Sequence, residues 1–130
     1  MFKIDKIKKE IHLTRGDVAC INVTTKINKD GVKVPYEFKV GDVVRIKIVK
    51  KNDYSQVVFT KDVVVTEPGL KVMIPLTGEE TKIGDIILKK EVTYWYEIEL
   101  NPDTNPQTII GHDKETGAKL FILYPEGGNK

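Results

Sequence analysis

The residues that could carry nucleophilic or acid-base chemistry are few, and they lie far apart in the sequence. The chain contains one cysteine, Cys20, which would act as a nucleophile only beside a histidine able to take its proton. Neither His12 nor His112 has a partner at a metal-ligand spacing such as His-x-Glu or His-x-x-x-His. The only serine, Ser55, lies outside a Gly-x-Ser-x-Gly turn. We therefore expect no enzymatic activity, and we expect Cys20 to be a small core residue.

Metal ions and cofactors are also not expected. A single cysteine excludes both an intramolecular disulfide and a cysteine-based metal cluster. The carboxylates of Asp103, Asp113 and Glu115 are ligands of the type that Ca²⁺ takes, but their spacing fits no calcium-binding loop. Turn formation explains these acidic residues without an ion.

The charge balance argues against nucleic acid and membranes as partners. Of the 130 residues, 31% are charged and 40% hydrophobic, and the formal net charge is +2. Phosphate recognition needs clustered, uncompensated basic residues, whereas the densest basic group here is Lys47, Lys50 and Lys51. Residues 1–9 are rich in lysine and contain no apolar run long enough for a signal peptide or a membrane span. We expect a protein made in the cytoplasm without a signal peptide.

Residues 91–100 form the clearest core strand of the sequence. Alternation places one set of side chains on a buried face, namely Tyr94, Tyr96, Ile98 and Leu100. The other face carries Trp95 between polar residues that include Glu97 and Glu99. Because tryptophan is enriched at binding hot spots, we expect Trp95, Glu97 and Glu99 to form a candidate protein interface.

The remaining sequence predicts further short strands separated by turns. Asp30-Gly31 is a strong hairpin signal, and residues 77–84 offer at most one short helical turn. Residues 56–60 and 62–66 are predicted as two valine-rich strands, and residues 70–76 as a strand with Leu70 on its apolar face. Residues 108–111 and 118–124 are predicted to pair with each other around a turn.

These elements predict an all-β fold, an antiparallel β-sandwich of the immunoglobulin-like or a similar type. About seven to nine strands, with turn signals every eight to twelve residues, are typical of that architecture. The predicted organisation is an N-terminal arm or edge strand over residues 1–10, a single sandwich domain over 11–124 and a C-terminal tail over 125–130.

The tripeptide Arg15-Gly16-Asp17 matches a motif of cell-adhesion ligands. Three residues recur by chance, and a Gly-Asp turn between two strands is a sufficient structural reason for this one. We therefore interpret it as a turn.

Several motifs in order resemble the N-terminal β-sandwich of bacteriophage baseplate upper proteins and related small phage structural proteins of Gram-positive hosts. The first part of the resemblance lies in Leu-Thr-Arg-Gly-Asp at 13–17, Tyr-Glu-Phe-Lys-Val-Gly-Asp at 36–42 and Tyr-Trp-Tyr-Glu-Ile-Glu-Leu at 94–100. Residues 108–113 and 121–128 are similar to the end of such proteins. The resemblance spans residues 11–128, and its weight comes from the order of the motifs.

The resemblance implies a non-enzymatic structural component of a phage virion or phage-tail-like particle, made in the bacterial cytoplasm. Its partners would be further copies of itself and other virion proteins. The resemblance covers no receptor-binding or fibre-forming extension, so baseplate, head-decoration and fibre-base adaptor roles stay open. The alternative is a carbohydrate- or surface-binding β-sandwich module, for which Trp95 and the tyrosines are the motivation.

Overall fold

A computed structural model describes residues 2–4, 8–86 and 89–126, and it confirms the predicted all-β class. Within these residues there are eleven strands rather than seven to nine, and no helix. The strands are β1 Phe2–Ile4, β2 Ile11–Thr14, β3 Ala19–Val23, β4 Lys26–Lys29, β5 Val32–Pro35, β6 Val43–Lys50, β7 Asp53–Val64, β8 Val72–Leu76, β9 Val92–Leu100, β10 Gln107–Ile110 and β11 Lys119–Tyr124. Over the same residues, no helix is long and apolar enough to cross a membrane.

The ends of the predicted domain organisation are only partly described. Phe2–Ile4 forms strand β1, which pairs antiparallel with β2 at the edge of a sheet. Of the predicted C-terminal tail, residues 127–130 lie outside the described residues.

The largest sheet contains seven strands in the order β1-β2-β11-β9-β6-β7, with β10 also paired to β9. Its neighbours are antiparallel except for β2 and β11, which run parallel with Phe121 opposite Ile11. The prediction of a wholly antiparallel fold is wrong at this pair. Parallel neighbours need a crossover connection, and the long stretch of chain between β2 and β11 provides one.

Strand β9 is central to this sheet, and both of its edges are paired. β6 lies along one edge from Val44 to Lys50, whereas the other edge is shared by β10 and β11. The predicted pairing of residues 108–111 with 118–124 is therefore wrong. β10 and β11 follow one another along the same edge, separated by a loop that a bridge between Asp113 and Gly117 closes. The turn residues in this loop interrupt the strand direction without reversing it.

Strand β7 is a single strand of twelve residues, where two strands were predicted. Its Lys61 lies opposite the buried Ile46, and its ammonium group donates to the carbonyl of Pro75 and to the carboxylate of Glu80. These partners explain why a lysine continues the strand instead of ending it. An inward-facing charge on an edge strand also opposes pairing with further strands.

The core consists of buried residues of the large sheet and of a second sheet formed by β3 and β8. Buried residues of both sheets belong to one hydrophobic cluster, which is consistent with a sandwich. Strands β3 and β8 alternate strictly between buried and exposed residues. Two predictions were wrong here. Cys20 is exposed on the outer side of β3, and Leu70 is 55% exposed because β8 begins only at Val72.

Arg15 connects the turn at residues 15–17 to the loop at residues 82–84 through hydrogen bonds. The tripeptide forms a turn as predicted, with Gly16 at a φ of 92°. The guanidinium of Arg15 is nearly buried and donates to three consecutive backbone carbonyls, those of residues 82, 83 and 84, at 2.8–3.2 Å. It also forms an ion pair with Glu126. Arg15 is therefore committed to internal contacts, which explains the tripeptide without an adhesion role.

The predicted helical turn at residues 77–84 is a capped turn and not a helix. The Thr77 hydroxyl accepts from the Glu80 amide at 3.1 Å, and the Glu80 carboxylate accepts from the Thr77 amide at 2.9 Å. This reciprocal pattern is a capping box, which is a start signal for helices. The buried Thr81 hydroxyl then accepts from the Gly16 amide at 3.0 Å, so the chain is held against the Arg15 turn.

Asp42 organises the start of β6. Its carboxylate accepts from the Tyr36 hydroxyl at 2.7 Å, the Lys39 amide at 2.9 Å and the side-chain amide of Asn101 at 3.1 Å. Burial opposes ionisation of this carboxyl group, but the hydrogen bonds outweigh it and hold the pKa of Asp42 below its ordinary value. Burial, together with the Asp42 charge, raises the pKa of Tyr36 to about 12.

The depressed pKa of Asp42 predicts a loss of stability in acid. A carboxylate with a lowered folded-state pKa stabilises the fold above its unfolded pKa, and that stabilisation disappears as the pH falls through the folded-state value. We expect Asp42→Asn to cost about 1–3 kcal/mol at neutral pH, because its amide would face the Asn101 amide donor to donor. Urea unfolding between neutral pH and about pH 3 should then show a shallower pH dependence than wild type.

The matched control is Asp30→Asn, which changes an exposed turn carboxylate where asparagine is equally favoured. It should retain the wild-type pH dependence. An Asp42→Asn variant with the full acid dependence of wild type would contradict this role.

Candidate protein interface on the outer face of the large sheet

The outer face of the large sheet, which points away from the core, carries a row of apolar side chains. On β11, Phe121 and Leu123 are fully buried, so Leu120, Ile122 and Tyr124 point outward. These three outward residues are half-buried rather than fully exposed. Strand β11 is thus apolar on both faces, although only one face lies in the core.

Neighbouring strands extend this row on both sides. Trp95 of β9 lies directly opposite Leu120, and Ile122 has His12 of β2 as its parallel neighbour. The His12 ring stacks on Tyr124 with centroids 5.8 Å apart, and its Nδ1 lies 2.7 Å from the Tyr124 hydroxyl. We call this set, Trp95, Leu120, Ile122, Tyr124 and His12, the outer patch.

Trp95 also takes part in an aromatic cluster at one end of the outer patch. Its ring lies 5.0 Å from that of Tyr54 and 6.2 Å from that of His112. Among the described residues, the buried Tyr54 hydroxyl has no hydrogen-bond partner. Burial, followed by the Glu97 charge, raises the pKa of Tyr54. These contacts fix the orientation of the Trp95 ring while leaving Trp95 only half-buried.

Glu97 and Glu99 belong to a separate, charged half of the same face. The ammonium group of Lys47 on β6 lies 3.7 Å from the Glu97 carboxylate and 3.9 Å from that of Glu99. Beside them, Arg45 binds Asp62 through two hydrogen bonds of 2.7 and 3.0 Å, and this hydrogen bonding lowers the pKa of Asp62. The two predicted glutamates therefore share one cross-strand lysine, which offsets only part of their negative charge.

The structure brings together only part of the predicted interface. Trp95, Glu97 and Glu99 share one face as predicted, but Trp95 adjoins the apolar half and the glutamates adjoin basic residues of β6. Tyr54, Leu120, Ile122 and Tyr124 were not predicted as interface residues from the sequence. A signal was present at residues 120–124, where every side chain is apolar or aromatic, since a strand with two apolar faces indicates burial on both sides.

The residues considered for chemistry do not form a site. His12 and His112 contact different tyrosines, and Cys20 lies on the second sheet. Asp103 contacts Arg45, whereas Asp113 accepts from backbone amides of its own turn. Within residues 2–4, 8–86 and 89–126, no group of three or more potential metal ligands occurs.

Comparisons of the chain with protein-family models, with curated proteins and with solved structures each found no match.

Proposed function

We propose that this protein is a non-enzymatic structural component of a phage virion or phage-tail-like particle, which acts by assembling with copies of itself and with other virion proteins. The observation that carries the proposal is the outer patch. Its apolar and aromatic side chains lie on paired strands in the interior of a sheet, where no further strand can cover them by hydrogen bonding. A second protein surface would remove them from water.

The composition of the outer patch suits a protein interface. Half-buried apolar and aromatic side chains with charged residues beside them are the usual arrangement of such surfaces. In the charged half, Lys47 and Arg45 form ion pairs with carboxylates that outnumber them, so negative charge remains beside the outer patch. The ordered resemblance to phage β-sandwich proteins supplies the biological setting, either baseplate, head decoration or fibre base.

Self-association through the outer patch is the first expected outcome. In sedimentation experiments, the average mass of the wild-type protein should rise above 14.7 kDa with increasing concentration. Ile122→Asp should weaken this association about ten-fold or more, because an interfacial apolar contact is replaced by a charge that must be desolvated. Trp95→Ala should weaken it in the same direction.

The matched control is Met73→Asp, which adds the same charge at a 54% exposed strand position of the second sheet. This variant should associate like wild type. A wild-type protein that stays monomeric at every concentration, or equal losses in Ile122→Asp and Met73→Asp, would contradict self-assembly through the outer patch.

The particle setting is tested separately. Particles would be purified from the strain that encodes the protein and then analysed by mass spectrometry. We expect the protein in stoichiometric amounts with capsid, tail or baseplate proteins. Its absence from every particle fraction, with all of it in the soluble fraction, would contradict the virion role even if the protein self-associates.

Carbohydrate binding is the second candidate function, because the Trp95, Tyr54 and His112 rings cluster at an accessible sheet face. Sugars bind through stacking on such rings together with polar contacts. Binding to a glycan panel that Trp95→Ala abolishes would favour this function over assembly.

A further inference from the structure

Strands β4 and β5 form a two-stranded ribbon of their own. They pair only with each other in the described chain, and a tight turn with Asp30 at a φ of 53° and Gly31 at 81° joins them. Both residues have the positive φ that the commonest hairpin turn requires. In the part of the chain that the structure describes, no ribbon residue belongs to the hydrophobic core cluster or to the partly buried hydrophobic residues packed against it. The ribbon is therefore an appendage of the sheets and not part of them.

The two faces of the ribbon differ in chemistry. Ile27 lies opposite Val34, and Val32, which is 61% exposed, lies opposite Lys29 on the same face. The other face contains Lys26, Asn28, Lys33 and Pro35. One face thus carries the half-buried Ile27 and Val34 and the exposed Val32, and the other carries two lysines.

The ribbon carries the net charge of the whole protein. Residues 26–35 contain three lysines and one aspartate, which gives +2, and the full chain also has a formal net charge of +2. The rest of the chain therefore has equal numbers of basic and acidic residues. The ribbon is thus a local excess of positive charge, which favours anionic partners.

The ribbon is also incomplete as a sheet. An isolated pair of strands is marginally stable in water, and a third strand with an apolar face is the usual requirement for independent stability. Pro35 has no backbone N–H, so the β5 edge offers fewer donors to a further strand. The β4 edge, from Lys26 to Lys29, retains all of its N–H groups.

We propose that the β4–β5 ribbon docks an extended segment of a different protein, in which acidic and apolar residues alternate, as a third strand along β4. Backbone hydrogen bonds to the β4 edge would hold the segment. Its apolar residues would pack beside Ile27, and its carboxylates would pair with Lys26 on the opposite face. This mode of recognition is strand addition, in which the main chain provides affinity and alternate side chains provide specificity.

A different protein fits these observations better than a second copy or nucleic acid does. A second copy has an equally basic ribbon, and the rest of its chain has no net negative charge to attract the ribbon. Nucleic acid would pair with the lysines but would offer no apolar side chain to Ile27 beside the β4 edge. An acidic, strand-forming protein segment complements the open β4 edge, Ile27 and the charge of Lys26 together.

The test titrates the isotope-labelled full chain with a short peptide of alternating glutamate and valine, followed by backbone amide NMR. We expect saturable shifts confined to residues 26–35 and slower hydrogen exchange along β4. The double variant Lys26→Glu, Lys33→Glu should weaken binding about ten-fold or more, since it reverses both charges on the basic face. The control Lys71→Glu makes a charge reversal at an exposed site on the body and should change binding less than about two-fold.

Three outcomes would overturn the proposal. The first is the absence of any shift with the peptide, and the second is shifts confined to the outer patch instead of the ribbon. The third is binding of short duplex DNA to the ribbon without binding of the peptide, which would assign the ribbon to nucleic acid. Because self-association is measured at the outer patch, failure here leaves the assembly proposal standing, and the reverse also holds.

Discussion

Arg15→Ala is expected to lower the free energy of unfolding by about 3–5 kcal/mol. The substitution removes four hydrogen-bond donations from a nearly buried guanidinium and leaves the carbonyls of residues 82–84 without their partner. It also leaves Glu126, which is partly buried, without its ion pair. Buried polar groups without partners are costly, and here several arise from a single substitution. Equilibrium unfolding in urea would measure the loss.

Two further variants test whether the loss in free energy of unfolding comes from this buried network or from removing any arginine. Arg15→Lys keeps the charge but cannot reach three consecutive carbonyls with a planar group, so it should recover less than half of the loss. Arg45→Ala removes an arginine with two carboxylate partners on the accessible outer face, and it should cost about 1 kcal/mol or less. Equal losses in free energy of unfolding for Arg15→Ala and Arg45→Ala would show that the buried network stabilises the fold no more than an exposed ion pair does.

Ile98→Ala in the central strand is expected to cost about 2–5 kcal/mol. Ile98 is fully buried, lies opposite Ile46 on β6 and belongs to the common core of the two sheets. Removing its side chain leaves a cavity. The cavity cannot collapse, because both edges of β9 are held by paired strands. Tyr96→Ala should be similarly costly, because it removes a buried ring and the hydroxyl that donates to the Lys9 carbonyl.

The neighbouring outward residue provides the control. Glu97→Ala changes a half-buried side chain whose ammonium partner lies 3.7 Å away, so the loss should be about 0.5 kcal/mol or less. Urea unfolding of both variants tests the assignment of faces. Similar small losses at Ile98 and Glu97 would mean that β9 does not bury the face that contains Ile98.

Alternation along individual strands was predictable, because it depends only on which side chains share a face. Residues 91–100 follow this rule in the structure, and the Asp30-Gly31 signal, which is also local, forms the predicted hairpin. The predictions that were wrong concern which strands pair with each other. Residues 108–111 and 118–124 carry a turn signal between them, yet both pair with β9, since a local turn does not specify which strand edge receives the chain afterwards.

For the candidate interface too, the face of a single strand was predictable, whereas its neighbours across the sheet were not. From the sequence, Trp95 could be assigned to the polar face of β9, but its neighbours across the sheet could not be identified. Leu120 and Ile122 become part of one patch only because β11 lies between β9 and β2. Likewise, the partners of Arg15 come from residues more than sixty positions away, and no local pattern connects them.

The sequence by itself determined the all-β class, most strand positions, the turn at Arg15-Gly16-Asp17 and the faces of β9, because propensity and alternation act over a few neighbouring residues. Only the tertiary structure decided the parallel β2–β11 pair, the exposed position of Cys20, the buried network of Arg15, the continuity of the outer patch and the separation of the β4–β5 ribbon from the core. Each of these depends on which distant segments pair and pack, and that choice is made by burial of the whole core and not by local preference.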